Sequence, residues 1–107
     1  MAVGVEGFVR VADAAAVLPG TTLRVEVDGE AVCIVNTEGA LYALRDNCSH
    51  KDFPLSEGEV LGHRLTCAWH GAAFDVTTGS ALSLPAIKPV RTYEVVESEG
   101  GIWVRPE

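Results

Sequence analysis

Apolar and polar residues alternate with a period of two along much of this chain, the spacing at which successive side chains of an extended strand point to opposite faces. Leu23-Arg24-Val25-Glu26-Val27 is the plainest such stretch. Asp28-Gly29 supplies the two-residue turn of a hairpin, and Ala31 to Val35 returns as an unbroken apolar run, which marks a strand buried more deeply than its neighbour. Thr37-Glu38-Gly39 turns the chain again, and Ala40 to Arg45 forms the next strand. Phe8 to Val11 predicts an opening strand, and Ala12 to Val17 predicts one short helical turn that Leu18-Pro19-Gly20 stops. After a connection punctuated by Gly58 and Gly62, Arg64 to Cys67 and Ala73 to Val76 read as strands leading into and out of a loop, closed by Thr77-Thr78-Gly79. Thr92 to Val96 and Gly101 to Arg105 form a last hairpin around Glu99-Gly100. Many short strands and almost no helical signal predict an all-β fold, a small antiparallel barrel or sandwich.

Length narrows this further. A chain of 107 residues fits one domain with one modest core and leaves no room for a second, catalytic domain. With 48% hydrophobic and 21% charged residues it reads as globular. No apolar stretch approaches the roughly 18 residues of a membrane span, and Glu6, Arg10 and Asp13 interrupt the region where a signal peptide needs an apolar run. The expected location is the cytoplasm, with no membrane partner. Eight Lys and Arg against fifteen Asp and Glu give a formal charge of -7, which repels nucleic acid and favours a protein partner with a basic docking face. No catalytic triad or phosphate-binding glycine loop is present, so the chain is not expected to be an enzyme by itself.

The chemistry-bearing residues lie in two motifs. Cys48-Ser49-His50 and Cys67-Ala68-Trp69-His70 are separated by sixteen residues, and each places one thiol and one imidazole on a short turn. Folding them together converges two sulfur and two nitrogen ligands on one metal site. Zinc accepts that set, but its usual order is a Cys pair followed by a His pair, whereas here Cys and His alternate. The third cysteine, Cys33, sits inside the apolar run of a strand and reads as a buried thiol. His63 has no ligand spacing and reads as a solvated loop residue.

Cys-x-His, sixteen residues and Cys-x-x-His resemble the Rieske iron-sulfur family, in which two Cys hold one iron of a [2Fe-2S] cluster and two His hold the other. Pro54-Leu55-Ser56-Glu57-Gly58 after the first motif, and Gly71, Phe74-Asp75, Thr78-Gly79 and Leu84-Pro85-Ala86 after the second, are similar to small Rieske ferredoxins. The resemblance implies a single Rieske domain over residues 1 to 107, with a cluster-binding lobe at about 46 to 86 inserted in the strand scaffold. It implies one [2Fe-2S] cluster with Cys48, His50, Cys67 and His70 as ligands, and Pro85 in a loop covering it. It also implies a monomeric one-electron carrier between a flavoprotein reductase and a terminal aromatic-ring hydroxylating oxygenase, with partners docking at the His50 and His70 tip. Two alternatives stay open: the small Rieske subunit of an assimilatory nitrite reductase, whose members often lack the ligands, and a structural zinc-binding module.

The chain departs from the respiratory members of that family at specific places. Phe53 and Trp69 stand where those proteins carry two disulfide-bonded cysteines, and Ala72 and Phe74 stand where they carry a Ser and a Tyr hydroxyl that donate towards the cluster. Without those donors the added charge of the reduced state is less stabilised, so the expected midpoint lies near the low end of the Rieske range, at about -150 mV. Phe53 and Trp69 are expected either to clamp the two loops by apolar contact or to form a docking patch. Asp46, Asp52, Glu57 and Glu59 flank the first motif and are expected to add negative potential there.

Overall fold

The computed structural model describes residues 7 to 47, 54 to 68, 71 to 83 and 88 to 105. Ten strands and two single 3-10 turns account for its regular structure, with no α-helix among the described residues. None of its helical segments is long and apolar enough to cross a membrane.

Three antiparallel sheets are stacked. β1 (Val9–Asp13), β10 (Gly101–Val104) and β9 (Val95–Ser98) form the first, in the order β1-β10-β9. The second runs β2 (Thr21–Val27), β3 (Glu30–Thr37), β4 (Ala40–Arg45) and β8 (Thr92–Tyr93). The third, β5 (Glu59–Leu61), β6 (Arg64–Thr66) and β7 (Ala73–Asp75), is inserted between β4 and β8 and is called the lobe.

The turn chemistry follows from backbone sterics. Asp28 and Gly29, Glu38 and Gly39, and Glu99 and Gly100 all have positive φ. Two consecutive residues of that kind make the tight turn whose twist matches the flanking strands, so each acidic-Gly pair joins one hairpin. The register from Val27 paired with Glu30 to Thr21 paired with Asn36 is unbroken. One register shift, between Arg10 and Ala12, bends β1 against β10.

Two cores lie on opposite faces of the middle sheet. Val32 and Ile34 of β3 join Val17, Val27, Ala43, Ile102 and Val104 on the side of the first sheet. Cys33 and Val35 join Leu44, Leu55, Leu65, Cys67, Ala72, Phe74, Val76 and Val90 on the lobe side. β3 is therefore apolar on both faces, which is why its sequence does not alternate.

The structure refines several boundaries. The helical turn after the first strand shortens to a 3-10 turn at Ala14–Ala16. The Gly58 to Gly62 connection contains a short strand, β5, and Leu55–Glu57 forms a second 3-10 turn. The strand expected at Thr92 to Val96 divides at Glu94 into β8, paired with β4, and β9, paired with β10. That switch of partner links the first two sheets. At the far end of the lobe the Thr37 hydroxyl donates to the Gly62 carbonyl at 2.7 Å, and the Tyr42 and His63 rings meet edge to face with centroids 5.7 Å apart.

Candidate metal centre

Both Cys-His stretches leave one buried cluster. Leu44 and Leu55 bracket the first, Cys67 and Ala72 bracket the second, and all four side chains belong to the same lobe-side core. Cys67 itself is buried. Cys48, His50 and His70 lie outside the described residues, as do Phe53, Trp69, Asp52 and the Leu84-Pro85-Ala86 segment.

The second stretch is closed by its own backbone. β6 and β7 pair from Arg64 with Asp75 to Thr66 with Ala73, and the Cys67 N–H donates to the Ala72 carbonyl at 2.6 Å. The Gly71 N–H returns to the Cys67 carbonyl at 3.2 Å, and the positive φ of Gly71 suits a residue without Cβ. Ser83 backs this turn, its hydroxyl oxygen accepting the Ala73 N–H at 3.1 Å. A further turn, Val76 to Gly79, folds the chain back so that Phe74 bridges Ala81.

The residue types fit a Rieske centre. Cys67 is buried in an apolar cluster, an environment in which a thiolate is costly unless it is bonded to a metal cation. Two thiolates and two neutral imidazoles form the donor set of a Rieske [2Fe-2S] cluster. Ala72 and Phe74 are fully buried next to Cys67 in this core and bring no hydroxyl to it, in line with the sequence reading.

Other residues singled out from sequence behave differently from one another. Cys33 is fully buried in β3, and loss of hydration pushes its thiol pKa far up, so it is a packing residue. His63 is exposed, as expected, but it is held by Tyr42, whose hydroxyl lies 3.4 Å from Nε2. Asp46, which the sequence reading expects to add negative potential around the first motif, has its carboxylate turned inward and fully buried, paired with Arg24 at 3.1 Å and hydrogen-bonded to Ser56, and its charge helps to raise the Cys33 pKa. The sequence reading missed this role, since an Asp beside a loop looks like an ordinary solvated charge.

Comparison with known proteins agrees with the geometry. Residues 7 to 94 match the Rieske [2Fe-2S] domain model, and the chain belongs to that family. It is 40% identical over 92 residues, 78% of this chain and 86% of the relative, to the biphenyl 2,3-dioxygenase ferredoxin component of Rhodococcus jostii (strain RHA1). Its fold matches the ferredoxin of carbazole 1,9a-dioxygenase from Nocardioides aromaticivorans IC177 with a TM-score of 0.89 and 35% identity, covering 94% of this chain and 98% of that one. A complex of reduced oxygenase and oxidized ferredoxin in carbazole 1,9a-dioxygenase matches with a TM-score of 0.87 and 35% identity, covering 94% of each chain.

Proposed function

We propose that this protein is a one-electron carrier, taking electrons from a flavoprotein reductase and delivering them to a terminal aromatic-ring hydroxylating oxygenase, with no substrate chemistry of its own. The observation that carries this reading is the single buried core from which both Cys-His stretches emerge. Membership of the Rieske [2Fe-2S] family supports it, as do relatives named as ferredoxin components of ring dioxygenases. The same family membership favours iron and sulfide over zinc.

Cys48 and Cys67 would hold one iron, and His50 and His70 the other. When bound, the cluster supplies a one-electron couple that is less negative by two charges than a four-cysteine cluster, and hence easier to reduce. The chain's own contribution is to hold the donor residues still. Cys67 is fixed by the β6–β7 ladder and by its bond to Ala72, and the core around it excludes water from the sulfur side. The protein works as a single domain and a monomer in the cytoplasm, with residues 46 to 86 as the cluster-binding lobe and the His50 and His70 tip as the docking surface for both partners.

Iron and acid-labile sulfide analysis, with electron paramagnetic resonance of the dithionite-reduced protein, tests this directly. Two irons and two sulfides per chain are expected, with a rhombic signal lost in His50→Ser and His70→Ser. A colourless chain, or one that binds only zinc, overturns the reading.

A further inference from the structure

We infer that Asp46 is the positioning residue of the first ligand stretch, and that it acts by gripping Ser56 on the other side of that stretch. This rests on the proposed cluster at Cys48, His50, Cys67 and His70. The two ligand stretches are closed in unlike ways. The second leaves and re-enters a strand pair, so its ends are joined by a ladder. Among the described residues the first has no such ladder: β4 pairs with β3 and β8, and β5 pairs with β6. Its ends need another fastening.

Asp46 provides one. Its Oδ1 accepts the Ser56 N–H at 2.7 Å, and its Oδ2 accepts the Ser56 hydroxyl at 2.7 Å and an Arg24 Nη1–H at 3.1 Å. The Asp46 N–H donates to the Ala31 carbonyl at 2.9 Å, which ties this side of the grip to β3. The Ser56 carbonyl in turn accepts the Thr22 hydroxyl at 2.6 Å, which ties the other side to β2. Both ends of the span from residue 47 to 55 are thus anchored to the middle sheet and to each other.

The arrangement holds because opening it is costly. The carboxylate side chain is fully buried, and a buried carboxylate that loses its donors keeps its desolvation penalty without compensation. A closed base also removes loop entropy that ligation would otherwise have to overcome. Cys48 and His50 stand two and four residues from Asp46. Loosening Ser56 therefore reaches them before it reaches the rest of the fold.

Ser56→Ala removes one bond of the grip and leaves the Arg24–Asp46 pair in place; Ser56→Thr keeps the hydroxyl; Asp46→Asn removes the charge and one acceptor. In the purified, cluster-loaded protein the rate of cluster loss to an iron chelator and the resonance signal of the reduced form are read for each variant. Ser56→Ala and Asp46→Asn are expected to lose the cluster about tenfold faster, as for one charge-assisted hydrogen bond, with a shifted or broadened signal, while Ser56→Thr stays near wild type. If Asp46→Asn does not fold, Ser56→Ala carries the test. Wild-type loss rate and signal in Ser56→Ala overturn the inference, even where its melting temperature falls. A cluster-loaded wild type with indifferent variants sinks this inference alone, whereas a wild type without a cluster sinks the proposed function.

Discussion

Gly58 passes so close to the carbonyl of Thr66 that a Cβ on it would overlap the carbonyl oxygen. Thr66 immediately precedes Cys67, and Gly58 closes the turn in which its N–H donates to the Leu55 carbonyl at 2.9 Å. The chain after the first ligand stretch is thereby pressed against the chain before the second. Gly58→Ala must move one backbone against another, at the costly end of overpacking, about 3 kcal/mol. For a domain of this size that lowers the melting temperature by on the order of 15 °C. Calorimetry of the variant checks the figure, and iron content should fall with it.

Cys33 shares the lobe-side core with Cys67 but stands outside the proposed ligand set. Cys33→Ala should keep full iron and an unchanged visible spectrum while losing about 1 kcal/mol of stability, the scale of removing one heavy atom from a packed core. In the folded wild type the thiol should resist alkylation at neutral pH, because it is buried and its raised pKa leaves almost no thiolate. Peptide mapping of the alkylated residues, in the folded protein and after denaturation, distinguishes Cys33 from Cys48 and Cys67.

Ala72 and Phe74 offer a test of the potential. Both are fully buried in the core around Cys67. Adding hydroxyls with Ala72→Ser and Phe74→Tyr supplies donors that stabilise the reduced state more than the oxidised one. The midpoint should rise by tens of millivolts for each, about 60 mV where the new bond differs by about 1.4 kcal/mol between redox states. Redox titration of the wild type should fall near -150 mV, and a value above about 0 mV contradicts the tuning argument.

Asp75 closes the turn after β7, accepting the Thr77 hydroxyl at 2.6 Å and the Thr77 N–H at 2.8 Å. The hydroxyl bond first, then the backbone bond, holds its carboxyl below the usual range. A depressed folded value means that the ionised form stabilises the fold above the unfolded pKa, near 4, and that this support disappears as pH falls through the lower, folded value. A carbon-detected NMR titration should find the Asp75 midpoint below that of an ordinary Asp. Thr77→Ala should move it back up.

Much of the fold was legible because strand pairing leaves a local trace. Leu23 to Val27 alternates, and the acidic-Gly pairs mark the hairpins that the structure contains. β5 was not legible, because Glu59–Leu61 is too short to show a period and owes its existence to pairing with β6. Glu94 carries no signal that the last strand changes partner there, since the pairing of β8 with β4 and of β9 with β10 is made only in the folded chain. The ligand motif stood out because Cys and His at fixed spacing are rare. The Asp46–Ser56 grip did not, because ten residues separate two common polar side chains and only the folded chain brings them together.

The central residues of β3, Val32 to Val35, are buried on both faces of the sheet. β3 sends Val32 and Ile34 into one core and Cys33 and Val35 into the other, so neither half keeps its packing once this strand detaches. The lobe should therefore unfold together with the rest of the domain rather than as a separate module. Amide protons of β3 should exchange last, and only by global opening.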